Sequence, residues 1–190
     1  MINQVSFDLH ALPSGATSII PLIDGTSLID LITDFEAERG YEELRGRYGG
    51  IIPEYMQYGP IDDYFMARGV SLCRQPDGAQ YMLGCQCGEV GCWPLMATIR
   101  STPSRYEWGE FHNPCRNMRD YSEFGSFVFE RLSYERAVRD VATRLPARLN
   151  HFADISEFLA RRTVPRARGF GSLNAPPCAR INWFHAALCE

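Results

Sequence analysis

The most informative absence from this 190-residue sequence is that of lysine, because all 19 of its basic residues are arginine. An arginine guanidinium stays protonated and cannot form a Schiff base, so it cannot replace a catalytic lysine. The missing amine argues against pyridoxal enzymes, Schiff-base aldolases and nucleotide sites of the Walker type. It also argues against a protein kinase, which needs a strand lysine beside the nucleotide phosphates.

The sequence also lacks a long hydrophobic run and a secretory leader. No stretch approaches the roughly 18 to 20 apolar residues that span a bilayer. The segment before the first proline carries an acidic residue and no basic one, unlike a signal peptide. These features predict a cytoplasmic protein without a membrane partner. In that reducing compartment the seven cysteines are expected to be thiols or metal ligands rather than a disulfide framework.

Charge is unevenly distributed along the chain, whose net charge is −4. Residues 1–63 carry eleven acidic residues against three arginines, whereas residues 161–190 carry five arginines against one glutamate. Phosphate contacts require cationic side chains, so the acidic balance argues against a nucleic-acid partner. We therefore expect a protein or a small molecule, of unknown identity, as the partner. Residues 163–190 are predicted to form an irregular, basic C-terminal tail.

Hydrophobic periodicity predicts a single α+β domain over residues 1–162. Short apolar segments bounded by turn residues indicate strands, two of them near the N-terminus at 2–9 and 18–25, whereas residues 41–77 are expected to be irregular. The segments after Gln80 are expected to form an antiparallel meander, with Pro94 inside its second strand at an edge or a bulge. Ser27 begins the clearest helix, and Gly40 ends it. We expect one antiparallel sheet of about five or six strands, with three helices packed mainly on one face, near residues 27–39, 131–145 and 151–162.

The densest group of reactive side chains lies in the segment GCQCGEVGCW at 84–93. If the flanking strands pair through this turn, Cys87 and Cys92 lie opposite each other and Cys85 shares the face of Cys87. Three converging thiols could hold zinc, with His112 or Cys115 as the fourth donor. The C-x-C-x4-C spacing is not that of a zinc knuckle, so two other interpretations stay open. The cysteines could be small apolar core residues, or Cys87 and Cys92 could form a redox disulfide.

A second group lies in the segment EWGEFH at 107–112. Strand alternation predicts that Trp108, Glu110 and His112 share one face. A carboxylate beside an imidazole could act as general base and orienting group, or as metal ligand and hydrogen-bond partner. Glu110 is therefore the candidate base near the cysteines.

Several phrases of the sequence together resemble an uncharacterised family of bacterial proteins with a GC-x-CGE-x-GCWPL core. The phrases are PLIDGTSLIDLI at 21–32, YGGIIPE at 48–54, LGCQCGEVGCWPLMATI at 83–99, and WGEFHNPCR with DYSEFGSFVFERLSYERAV within 108–138. The family has no known function, so the resemblance implies a cytosolic bacterial origin and one fold unit, without a substrate. This chain has Cys115 where relatives carry histidine, an exchange that a metal site or a partly buried polar site would tolerate.

Two classes of function follow from these observations, and they leave open whether the protein is an enzyme. The favoured class is a non-catalytic binding or interaction module in which the cysteine hairpin is structural. The alternative is a zinc-binding protein or zinc-dependent hydrolase that uses the cysteine cluster. Four protein ligands would make the zinc structural, whereas three ligands and a water would leave it reactive.

Overall fold

The computed structural model describes residues 1–41, 48–56, 58–68, 74–75, 77–87 and 91–149. Its first sheet has three antiparallel strands: β1 (Val5–Ala11), β2 (Thr17–Ile23) and β3 (Thr26–Ser27), with β2 in the centre. The two strands predicted near the N-terminus are therefore confirmed. Their inward side chains include Phe7 and Ile19, which belong to the hydrophobic core.

Helix α1 (Leu28–Glu38) follows β3 directly and is capped as the sequence predicts. The Ser27 hydroxyl accepts a hydrogen bond from the Ile29 amide, which satisfies one of the free N–H groups of the first turn. At the other end Gly40 adopts a φ of 70°, a conformation that favours glycine. This bend lets the Tyr41 amide donate back to the Glu36 carbonyl, and the helix ends there.

The second sheet has five antiparallel strands in sequence order. Its three long central strands confirm the predicted meander, and Pro94 precedes the second of them instead of lying inside it. The first long strand is buried at every position, the second is mostly buried and exposed only at its last two residues, and the third mixes buried and exposed positions. The five strands are β4 (Tyr48–Gly49), β5 (Ala79–Cys85), β6 (Leu95–Ser101), β7 (Arg105–His112) and β8 (Phe127–Glu130).

Two further helices contact each other over the core. The short helix α2 (Ile61–Phe65) lies in a region that the sequence predicts to be irregular, and α3 (Arg131–Arg144) matches the predicted helix near 131–145. The Glu130 carboxylate caps α3 by accepting hydrogen bonds from the amides of Leu132 and Ser133. Tyr134 from the first turn of α3 is fully buried.

The architecture is α+β, as predicted, but the strands form two sheets rather than one. Two isolated bridges link them: Asn3 pairs with Phe129 of β8, and Ile19 of β2 pairs with Ile51, just after β4. The three-stranded sheet is thus joined to both edges of the five-stranded sheet. No helix in the described ranges is long and apolar enough to cross a membrane. The helix predicted near 151–162 and the tail predicted at 163–190 lie outside the described residues.

Candidate metal centre

The cysteine segment forms the connection between β5 and β6, at one end of the larger sheet. Cys85 is the last residue of β5 and pairs in register with Tyr48 of β4. Gly49 allows the two strands to approach, because a Cβ there would lie 2.9 Å from Cα of Gln86. Cys87 and Cys92 lie beyond the paired residues of β5 and β6, in the turn itself.

The three thiols converge, as the sequence predicts. The sulfur atoms of Cys85, Cys87 and Cys92 all lie within 4.8 Å of one another. Tetrahedral zinc with Zn–S bonds of about 2.3 Å requires sulfur atoms about 3.8 Å apart. The three side chains therefore need only small movements to bind one ion together.

The three cysteines differ in how deeply they are buried. Cys85 is buried, Cys92 is half-buried and Cys87 is exposed. Burial raises the pKa of the Cys85 thiol to about 12, and the neighbouring Cys87 thiol adds to the increase. Cys85 is therefore protonated at neutral pH without a metal, so a metal ion must displace its proton on binding.

The two predicted fourth donors lie outside this group of three. The Cys115 thiol donates a hydrogen bond to the Gly91 carbonyl, with a sulfur–oxygen distance of 3.4 Å. Gly91 precedes Cys92, so Cys115 packs directly against the turn. His112 ends β7, where its Nδ1 donates to the Glu110 carbonyl at 2.9 Å. That hydrogen bond leaves Nε2 as the atom with a free lone pair in the neutral ring, an arrangement typical of metal-binding histidines.

The prediction that Trp108 shares a face with Glu110 is wrong. Trp108 is fully buried, whereas Glu110 is exposed and carries a φ of 54°. The pairing of β7 with β6 shifts by one residue at this point, and such a bulge reverses the side-chain alternation. Glu110 instead accepts a hydrogen bond from Arg100, which holds the pKa of the Glu110 carboxyl below its usual range.

Sequence reasoning missed a buried polar cluster next to the cysteine turn. Its centre is Glu36 of α1, which is fully buried. Oε1 of Glu36 accepts hydrogen bonds from the hydroxyls of Tyr48 at 2.7 Å and Tyr121 at 2.6 Å. Burial raises the pKa of both tyrosines, so they remain protonated donors. The one available signal was spacing, since Glu36 continues the buried series of Leu28 and Ile32 at intervals of four residues.

Trp93 connects this cluster to the cysteines. It follows Cys92 in the chain, and its ring lies 6.2 Å from the Tyr48 ring. The guanidinium groups of Arg116 and Arg119 lie 4.3 Å and 5.3 Å from the centre of the Trp93 ring. Arg119 also forms an ion pair with Glu36 at 3.3 Å. Two cations therefore lie against Trp93, the residue that follows the last cysteine of the turn.

Some polar atoms of this cluster are left without hydrogen bonds. Within the described part of the chain, Oε2 of Glu36, Nη1 of Arg119 and Nε1 of Trp93 are buried and have no hydrogen-bond partner. Buried polar atoms are nearly always paired, and exceptions concentrate at sites with a role beyond packing. The cysteine turn therefore lies beside a buried polar cluster whose hydrogen bonding is incomplete among the described residues.

Comparison with known proteins finds no match. This holds for protein-family models, for curated proteins and for solved structures. The resemblance to the bacterial family with the GC-x-CGE-x-GCWPL core therefore stays a prediction. The candidate site rests on the geometry of this chain alone.

Proposed function

We propose that this protein is a metal-stabilised binding module in which Cys85, Cys87 and Cys92 hold a zinc ion. The observation that carries the proposal is the convergence of their three sulfur atoms within 4.8 Å. Thiolates are soft ligands that suit zinc in tetrahedral sites. In this proposal the metal orders the turn between β5 and β6, and the protein acts in a bacterial cytoplasm by binding a protein or small molecule.

The fourth ligand decides whether this zinc is structural or reactive. Cys115 is our candidate, because its thiol already contacts the carbonyl of Gly91 in the turn. A change of its rotamer would exchange that weak hydrogen bond for a metal bond. Four thiolates would close the site and favour a non-catalytic module. If His112 or a water took the fourth position instead, the site would carry less negative charge, and with water it could support hydrolysis.

Metal content of the purified, untagged protein tests this proposal. Elemental mass spectrometry is expected to find about one zinc per chain, and a chelator is expected to expose three or four additional reactive thiols. Metal-free protein that fails to take up added zinc would contradict the proposal. Replacing the zinc with cobalt would add a readout of geometry, since tetrahedral cobalt thiolates absorb visible light.

Single substitutions identify the ligands. Cys85→Ser, Cys87→Ser and Cys92→Ser are each expected to lower zinc affinity strongly. Cys178→Ser, at a cysteine far from the turn in the sequence, is the control and is expected to leave zinc affinity unchanged. Cys115→Ser is expected to weaken binding if the site is closed, and His112→Ala to have little effect. A strong loss of zinc affinity in His112→Ala, with little change in Cys115→Ser, would assign the fourth position to His112.

A further inference from the structure

The three thiols that form the proposed metal site are not equivalent towards oxidation. Cys87 is exposed, Cys92 is half-buried and Cys85 is only 5% exposed. A small oxidant from solvent therefore reaches the sulfur of Cys87 first. Reaction of a cysteine with peroxide requires this kind of access, and conversion of the product to a disulfide requires a second thiol nearby.

The structure favours Cys92 over Cys85 as the second thiol. Both sulfur atoms lie within 4.8 Å of the Cys87 sulfur, and a disulfide needs about 2.05 Å between them. Cys85 is held by the register of β5 with Tyr48 of β4. Cys87 and Cys92 lie outside the paired residues of β5 and β6, so their backbone can adjust without breaking a strand pair.

We propose that Cys87 and Cys92 form a peroxide-induced disulfide that switches off metal binding at this turn. The disulfide itself follows from the placement of the thiols, whereas its effect on metal rests on the function proposed above. Oxidation would consume two of the three converging thiols. Cys85 and the fourth ligand together could not retain zinc, so the ion would be released and the turn would lose its metal-held conformation.

The reaction balances with hydrogen peroxide as the oxidant. The Cys87 thiolate attacks one peroxide oxygen, the O–O bond breaks, and the departing oxygen leaves as water, which gives a sulfenic acid on Cys87. The Cys92 sulfur then attacks the Cys87 sulfur, the S–S bond forms and the S–O bond breaks. The oxygen leaves as a second water with the Cys92 proton. In total, two thiols and one peroxide give one disulfide and two waters.

Peptide mapping of the full-length, metal-free protein after limited peroxide treatment tests the disulfide. We expect the intact mass to fall by two hydrogen atoms, with one cross-link between Cys87 and Cys92. Cys85→Ala is expected to retain that cross-link. Cys92→Ser is expected to stop at a sulfenic acid on Cys87 that dimedone traps. A cross-link between Cys85 and Cys87, a pairing with a cysteine outside the turn, or no disulfide in the unmodified chain would overturn the inference.

Zinc release measured on the metal-loaded protein separates this inference from the proposed function. Peroxide is expected to release zinc in step with the Cys87–Cys92 cross-link, and a thiol reductant is expected to restore binding. A disulfide that forms while zinc stays bound would overturn the switch. A chain that forms the disulfide but never binds zinc would overturn the proposed function and leave the redox chemistry standing.

Discussion

The part of the chain that the structure describes contains two buried tryptophans whose surroundings are opposite in character. Trp108, at the centre of the larger sheet, is fully buried and belongs to a completed chain of hydrogen bonds. Its Nε1 donates to the Tyr134 hydroxyl at 2.9 Å, and that hydroxyl donates to the Phe65 carbonyl at 2.6 Å. The ring of Tyr106 stacks on Tyr134 at 4.3 Å. Every polar group in this series of hydrogen bonds has a partner, so the region around Trp108 serves to hold α2 and α3 to the sheet.

Trp93 is buried almost as fully as Trp108, but its indole nitrogen and a neighbouring carboxylate oxygen lack hydrogen-bond partners among the described residues. Its Nε1 is one of the polar atoms without a hydrogen bond in the described part of the protein, together with Oε2 of Glu36. Two arginine guanidiniums lie over its ring, and the three thiols lie beside it in the chain. A sequence optimised only for stability would pair or remove such groups.

The difference between the two tryptophans separates a fold-maintaining region from a candidate functional region. Both are aromatic, buried and rich in tyrosine, so composition and burial do not distinguish them. Hydrogen-bond satisfaction does, because unsatisfied buried groups persist where another requirement opposes stability. In this protein the unsatisfied groups around Trp93 lie at the same end of the sheet as the cysteine turn.

The largest loss of stability is expected from breaking the ion pair between Glu36 and Arg119 beside Trp93. Glu36→Gln keeps an oxygen acceptor for Tyr48 and Tyr121 but leaves the buried Arg119 guanidinium without its partner charge. We expect a loss of about 3 to 5 kcal/mol in the free energy of unfolding, measured by chemical denaturation. Glu135→Gln is the matched control and is expected to cost less, because its partners Arg68 and Arg139 reach solvent.

A double-mutant cycle sharpens this result. Arg119→Met alone leaves the Glu36 carboxylate with tyrosine hydroxyls only, whereas Glu36→Gln with Arg119→Met leaves no unpaired charge. The double variant is therefore expected to lose less stability than the sum of the two single losses. Additive losses would show that the pair contributes little coupling, and the proposed contrast with the Trp108 region would fail.

An intermediate loss of stability is expected from removing one of the hydrogen bonds that connect Trp108, Tyr134 and Phe65. Tyr134→Phe removes the hydroxyl that links Trp108 to Phe65 and leaves a buried donor and a buried acceptor unpaired. We expect a loss of about 1 to 3 kcal/mol in the free energy of unfolding. Tyr55→Phe, which removes a hydroxyl from a half-exposed side chain, should change stability by less than about 0.5 kcal/mol. Equal losses in the two variants would contradict the structural role of the Trp108 chain.

The sequence predicts the fold where local signals and tertiary structure agree. Ser27 and Gly40 mark the ends of α1, and the turn residues after Gln80 mark the meander. The convergence of Cys85, Cys87 and Cys92 was also predicted, although Cys87 and Cys92 lie in the turn and not in paired strands as the prediction assumed. The backbone departure at Glu110 has a weaker signal, because the isolated Gly109 before it is typical of a bulge but does not fix the residue at which alternation reverses. Alternation alone therefore placed Glu110 with Trp108, on the wrong side.

The buried cluster around Glu36 was not predictable from local pattern for a different reason. Its donors come from β4 and from the segment after β7, so they are distant from Glu36 in the chain. A glutamate on an apolar helix face indicates only that some partner must exist, because a buried carboxylate without one is costly. Which partner it is depends on the tertiary arrangement of three separate segments.

The smallest effect is expected at the N-terminus of α3, the helix that carries Tyr134 into the Trp108 chain. Hydrogen bonds from the amides of Ser133 and Leu132 lower the pKa of Glu130. A carboxyl whose pKa is lower in the folded state stabilises the fold above its ordinary pKa, and this contribution disappears as the pH falls through the lowered value. Glu130→Gln is therefore expected to lower the urea midpoint slightly at pH 7 and to lower it less at about pH 3. A difference that is the same at both pH values would assign the effect to helix propensity instead, and the Trp108 region would then owe nothing to this charge.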